Sequence, residues 1–178
     1  MRRMLLGLCL AIFSIVVLAA QPFTLSSRTL TPNGTMPLAN VYTECGGGNQ
    51  SPQLMWHDPP PGTKSFAVTM YDPDANGGFW HWVAYDIAVG AHGLNAGAGT
   101  PHNGDAPGDT EQPRNDFGNA GYSGPCPPPG KPHHYVITVY ALDVPELGLM
   151  AHLSRGDALA AIKRHTLATA SLTVTWGR

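Results

Sequence analysis

Four side chains in this sequence are of types and at spacings that could do chemistry. Asp72 and Asp74 stand in the run Asp72-Pro73-Asp74, His81 follows in Trp80-His81-Trp82, and His133 heads a β-rich run. Carboxylates beside imidazoles can serve three ends: they can hold a metal, act as a general base, or bind an anion. Read alone, Asp-Pro-Asp is a turn, because Asp before Pro commonly caps one. The spacing around it asks for more than that.

From Phe66 the chain alternates, with Phe66, Val68 and Met70 on one side and Ala67, Thr69 and Tyr71 on the other, as a strand does. Pro73 has no N–H to give a ladder and a fixed φ, so the strand ends at Asp72 and the chain turns through Ala-Asn-Gly-Gly. Trp80 to Ile87 reads as the returning partner. Such a hairpin brings Asp72 and Asp74, at the end of one strand, close to His81, at the start of the next. A second stretch, Gly124-Pro-Cys126-Pro-Pro-Pro-Gly130-Lys-Pro-His133-His134-Tyr135, again delivers a histidine to the start of a strand, Tyr135 to Leu142. Two strands that begin at a histidine point to one site.

The enzyme readings find little support. There is no Gly-x-Ser-x-Gly and no His-Glu-x-x-His, and no nucleophile stands beside an Asp–His pair in the sequence. Asp72, His81 and His133 form a conceivable facial metal set, which stays a minor alternative. Anion binding uses the same atoms with less strain: two histidines supply N–H donors, and Asp72 can accept from the far nitrogen of one, orienting it and favouring its charged form. Tyr122, Tyr135 and Trp80 can present aromatic edges, and the proline run a rigid wall without donors.

The ordered motifs Asp-Pro-Asp, Trp-His-Trp, Gly-Pro-Cys-Pro-Pro and His-His-Tyr resemble those of the phosphatidylethanolamine-binding protein family, within it the bacterial Raf-kinase-inhibitor-like branch of YbhB and YbcL. The resemblance runs from about Phe23 to Trp176 and includes Asn49-Gln-Ser-Pro-Gln-Leu-Met-Trp56, Arg114-Asn-Asp-Phe-Gly118 and Lys131-Pro-His-His-Tyr135. It implies a Greek-key β-sandwich and a small cavity, lined by the residues matching Asp72, Asp74, His81, His133 and Tyr135, that takes phosphoryl-type anions such as the phosphoethanolamine head group. It also implies no cofactor, no catalytic metal and no catalytic residue. Family members that inhibit kinases or proteases keep a protein target open as the alternative. Here Ala75-Asn76-Gly77-Gly78 replaces the family's usual Ala-Pro and longer loop, which leaves the rim more mobile and the choice of ligand open. His134 stands where relatives often carry Arg and falls on the opposite strand face.

Composition bounds the setting. The 178 residues suit one domain. Met1-Arg2-Arg3, the apolar run Leu5 to Leu18 and the small residues Ala19-Ala20 read as a secretory signal peptide over 1–20, with the domain over 21–178. Export to the periplasm or beyond follows. Without Arg2 and Arg3, the 10 Lys and Arg fall to 8 against 12 Asp and Glu, a formal charge of −4 with no basic stripe. Nucleic acid is set aside as a partner. A symmetric homodimer is the default oligomer. Once Cys9 leaves with the signal, Cys45 and Cys126 remain in an oxidising compartment and are expected to pair. The loop they close is worth about 4 kcal/mol in the chain-entropy view.

The remaining elements frame the site. Gln21 to Asn40 reads as two short strands about a turn, and Gly46-Gly47-Gly48 as a loop whose amides are a weak anion candidate. Gln53 to Trp56 begins another strand. Gly90 to Gly130 is long for a connection, so Arg114 to Gly118 and Tyr122 are expected to be ordered against the site; Arg114 is equally readable as a partner for a surface carboxylate. His92 and His102, in the same loop, read as solvent-facing. Ser154-Arg-Gly-Asp157 has capping-box spacing and opens one helix, with Leu159 and Ile162 one turn apart. Ala170 to Trp176 alternates as a closing, half-buried strand. Short strands, many turns and one late helix describe a mainly-β sandwich.

Overall fold

The computed structural model describes residues 21–100, 106–107, 109–149 and 154–178. The expected signal segment 1–20 and His102 lie outside these residues. Strands β1 (Thr24–Ser26), β2 (Leu54–His57) and β5 (Gly93–Leu94) form one antiparallel sheet in the order β1-β2-β5. Strands β3 (Ser65–Asp72), β4 (Phe79–Ala88), β6 (His133–Leu142) and β7 (Thr166–Trp176) form the other, antiparallel in the order β4-β3-β6-β7. The expected β-sandwich with one helix is what the chain forms.

The alternation read in β3 is the reason the sandwich closes. Phe66, Val68 and Met70 face the inner core with Trp56 and Leu54 of the small sheet, Trp82 of β4, and Ile137 and Val139 of β6. Ala67 faces the other way and joins Val83, Leu142, Ala158 and Ile162 under helix α1 (Arg155–His165). The large sheet is therefore covered on both faces, and truncating one of its buried aromatic anchors would cost roughly 3–5 kcal/mol. The two deepest indoles are satisfied: Trp56 Nε1 donates to the Ala91 carbonyl at 3.0 Å and Trp82 Nε1 to Gln112 Oε1 at 2.8 Å.

Helix α1 opens as its sequence dictates. The Ser154 hydroxyl accepts from the Asp157 amide while the Asp157 carboxylate accepts from the Ser154 amide, a complete capping box. Lys163, Arg164 and His165 occupy the last turn, where the helix dipole favours positive charge. Cys45 and Cys126 are joined, with Cα atoms 5.6 Å apart across 81 residues of sequence.

Two expectations are corrected. Gln21 to Asn40 holds a single strand, β1, followed by a single-turn 3₁₀ helix at Leu38–Asn40. Leu30 and Met36, the apolar residues on either side of the expected turn, plug the core from loop segments, with Thr35 bridged in parallel to Thr175 of β7. The Gly46-Gly47-Gly48 amides cradle nothing: they donate to the carbonyls of Thr43, Tyr42 and Leu38. Strand β7 is also longer than its alternating core, starting at Thr166 directly after the helix.

Candidate functional site

Antiparallel pairing puts the end of β3 beside the starts of β4 and β6, since Asp72 lies opposite Phe79 and Tyr71 opposite Val136. Asp72 shares the inward parity of Phe66, Val68 and Met70, and His133 shares that of Tyr135 and Ile137. One end of the sheet's inner face thus carries Asp72, Phe79, His133 and Tyr135. His81 reaches it by a different device. Met70 pairs with Trp82 and Tyr71 with Trp80, so His81 is the extra residue of a β-bulge. A bulge re-aims side chains, and this one turns His81 inward beside Tyr135 while Trp80 keeps the outer face.

These groups line a cavity of about 140 Å³. Asp72, His81, His133 and Tyr135 supply its polar surface; Phe79, Phe117, Pro127 and Pro128 are its principal apolar walls, with Ala75 and Cys126 at the margin. The proline run is the donor-free wall that its composition implied. Cys126 lies within that wall, so the disulfide fastens the cavity to the 3₁₀ turn at Thr43–Cys45.

Asp72 is 3% exposed and its carboxylate is fully engaged. Oδ1 accepts from the amides of Asp74 at 2.9 Å and Ala75 at 3.1 Å, and Oδ2 accepts from Nδ1 of His133 at 2.8 Å. The Asp-Pro-Asp turn and the Asp–His pair are therefore the same structure. With Nδ1 committed, Nε2 is the nitrogen His133 has for a ligand. His81 is 3% exposed, and its Nδ1 donates to the carbonyl of Ser123 at 2.8 Å. A carbonyl only accepts, so the neutral ring carries its hydrogen on Nδ1 and a lone pair on Nε2. Burial pushes the His81 pKa below the ordinary histidine value, against the opposing pull of the Ser123 carbonyl and the charge of Asp72.

Tyr135 is fully buried, and its hydroxyl has no hydrogen-bond partner among the described residues. Burial, with Asp72 and Asp74 nearby, pushes its pKa well up, so it remains a phenol and a donor. A buried, unpaired hydroxyl is unusual in a folded protein and is a recognisable mark of a site.

The loop 112–124 runs along the free edge of β4 and sets the rest. Asp116 accepts from the Trp80 amide and returns its own amide to the Trp80 carbonyl, and Ser123 donates its amide to the His81 carbonyl. Asn115, 4% exposed, ties the loop together: Nδ2 donates to Gly121 O and Ser123 Oγ, both at 2.9 Å, and Oδ1 accepts from Phe117 N. Phe117 is left 37% exposed at the rim, stacked on Tyr42 at 4.6 Å and edge-on to Phe79 at 4.8 Å. Arg155 of α1 pairs with Asp116, whereas Arg114 donates to the Gly118 carbonyl and takes no part in the cavity.

Three residues expected near the ligand are placed elsewhere. Asp74 turns to the rim, where Oδ2 accepts from both the amide and Nδ1 of His134 at 2.7 Å; those bonds hold its carboxyl below the ordinary value. Tyr122 is buried under the site, its hydroxyl donating to the Asn40 carbonyl and its ring edge-on to Trp82; burial raises its pKa. Trp80 packs against Tyr71 on the outer face, the rings tilted at 39°, as the bulge requires. Asp72, His81, His133 and Tyr135 are brought together. Phe79, Phe117 and Asn115 were not singled out individually from sequence; the one available signal was the expectation that residues 114–118 pack against the site. His92 is exposed in its loop.

Among the described residues, no group of three or more His, Cys, Asp or Glu is placed to hold a metal, and no helix is long and apolar enough to cross a membrane.

Known proteins give the same frame. Residues 26–177 match the family model described as phosphatidylethanolamine-binding protein. UPF0098 protein YbcL of Escherichia coli strain K12 is 36% identical over 178 residues, covering 97% of each chain. Its crystal structure, described as that of a new member of the mammalian PEBP family, superposes with a TM-score of 0.83 at 37% identity, covering 88% of this chain and 98% of that one. UPF0098 protein YbhB of the same strain is 39% identical, covering 84% of this chain and 96% of its own. The putative lipoprotein LppC of Mycobacterium tuberculosis strain H37Rv is 37% identical over 71% of this chain and 58% of its own length.

Proposed function

The chain belongs to the phosphatidylethanolamine-binding protein family, and from that premise we propose that it is an exported, non-enzymatic binder of small phosphoryl or related anions. The observation that carries this reading is the unpaired Tyr135 hydroxyl beside two histidines whose Nδ1 atoms are already committed. Each histidine offers its remaining Nε2 to a ligand, and Tyr135 offers a hydrogen. The carboxylate that would repel an anion is occupied by two backbone amides and an imidazole, so much of its charge is neutralised where it stands.

Binding without turnover fits the same inventory. No serine, threonine or free thiol lines the cavity, and Cys126 is bonded to Cys45. Export fits the signal-like residues 1–20, the disulfide and a relative named as a lipoprotein.

Calorimetric titration of residues 21–178, freed of metal, with phosphate and O-phosphoethanolamine between about pH 5 and 8 tests the reading. Binding that is lost in both His81→Ala and His133→Ala is the expected result. Binding indifferent to both substitutions, or turnover of the ligand, contradicts it.

A further inference from the structure

The β-bulge in β4 decides which of two neighbouring residues faces the cavity. Continued in regular register from the pairing of Met70 with Trp82, β4 would set His81 opposite Tyr71 and Trp80 opposite Asp72. A one-residue change of register sends side chains to the other face of a sheet, so Trp80 would enter the cavity and His81 would leave it. The bulge reverses this: Tyr71 pairs with Trp80 and Asp72 with Phe79, which leaves His81 and Phe79 in the cavity wall. The run Phe79-Trp80-His81-Trp82 does not itself select a register, since aromatic rings suit either face of a strand. The selection has to come from outside β4.

Asp116 is placed to make it. Its amide donates to the Trp80 carbonyl at 3.0 Å and its Oδ2 accepts from the Trp80 amide at 2.7 Å, so one residue holds both backbone polar groups of the side chain that must stay outside. Oδ1 of the same carboxylate accepts from Nη2 of Arg155, in the first turn of α1, and Nη1 of Arg155 donates to the Arg114 carbonyl at 3.2 Å. The ring of Trp80 packs against Tyr71 and against the cluster of Ala158 and Ile162 under α1. Helix α1 therefore reaches the bulge twice, through Arg155 to its backbone and through its buried face to its outward ring.

We propose that Asp116, braced by Arg155, is a positioning residue that fixes the bulge, turning His81 into the cavity and keeping Trp80 out of it; the consequence for affinity rests on the anion-binding reading. Neither Asp116 nor Arg155 lines the cavity, so both act on a ligand through His81. A partly exposed ion pair contributes little by itself. The weight lies on the Trp80 amide, whose partner in the bulge is that carboxylate. Without the acceptor the regular register competes, and affinity falls with the fraction of molecules still bulged: a fraction of about one tenth weakens binding about tenfold.

The test compares the parent with Asp116→Ala, Asp116→Asn and Arg155→Ala by two readouts. Nuclear Overhauser contacts report the register without any ligand: the parent should show the His81 ring against Tyr135, 5.2 Å away between centroids, and Trp80 against Tyr71, 4.4 Å away. In Asp116→Ala the first contact should fade, Trp80 should gain contacts to Tyr135, and phosphate affinity by calorimetry should fall about tenfold. Asp116→Asn and Arg155→Ala lose the ion pair but keep an acceptor for Trp80, so both should keep the parent contacts and bind about two- to fivefold more weakly. Parent-like contacts and affinity in Asp116→Ala, or an Asp116→Asn as impaired as Asp116→Ala, overturn the proposal. Should Asp116→Ala fail to fold, Arg155→Ala decides: affinity equal to the parent's overturns the bracing, and the two- to fivefold loss supports it. A parent that takes no phosphate overturns the anion-binding reading, while the Overhauser contacts still decide whether Asp116 holds the bulge.

Discussion

Replacing Tyr135 with Phe should separate the demands of the fold from those of the ligand. The hydroxyl is buried and has no hydrogen-bond partner among the described residues, so its removal breaks no protein bond and relieves the desolvation of a polar group. That desolvation is worth about 1–3 kcal/mol, offset in part by the small void the missing oxygen leaves. The ligand-free variant should therefore be as stable as the parent or more stable by about 1 kcal/mol, which for a chain of this length is roughly 2–4 °C in Tm. A hydrogen bond to a charged acceptor contributes about 1.5–3 kcal/mol, so phosphate affinity should drop roughly 10- to 100-fold. Thermal unfolding by circular dichroism reads the first quantity and calorimetric titration the second. A variant that loses more than about 1 kcal/mol of stability while keeping its affinity would refute the reasoning, because the hydroxyl would then be a structural group.

The other predictions follow from single contacts. Asn115→Ala should release Ser123 and Phe117 together; a phosphate affinity several-fold weaker with a loss of about 1–3 kcal/mol checks that it positions the His81 wall. Replacing Cys45 and Cys126 together by Ser should lower Tm by roughly 10 °C, from about 4 kcal/mol of loop entropy restored to the unfolded chain, and a shift under a degree or two would contradict it. Stability should also fall on acidification. The folded-state pKa of His81 lies below its ordinary value of 6.5, so its contribution is full above that pH and is lost as pH drops from 6.5 toward the folded value. The lowered pKa of Asp74 adds a second loss below 3.8. Unfolding midpoints measured from pH 8 to 4 should show the first slope in the parent and not in His81→Gln.

Much of this site was legible in the sequence because it follows from strand period and proline chemistry. Alternation from Phe66 to Met70 set the inner face, Pro73 ended the strand, and antiparallel pairing then forced the residues before and after the turns to one end of the sheet. What was not legible depends on register between distant strands. The hairpin implied a neighbourhood of Asp72 with His81, yet Asp72 bonds His133, two residues before Tyr135 at the start of the adjoining strand β6. The bulge that turns His81 inward and Trp80 outward leaves no mark in composition, since Trp-His-Trp fits a regular strand equally well. Asp74 and Tyr122 were drawn toward the ligand by proximity in sequence. Their own partners, His134 and the Asn40 carbonyl, lie 60 and 82 residues away.

The measurement that tests the central claim most directly is ¹⁵N NMR of the histidine ring nitrogens as phosphate is added. Nε2 of His81 and Nε2 of His133 should move together and saturate at the affinity found by calorimetry, while both Nδ1 signals and the rings of His57, His92, His134 and His165 stay in place. Shifts confined to those outer rings, with His81 and His133 unmoved at saturating phosphate, would contradict the account.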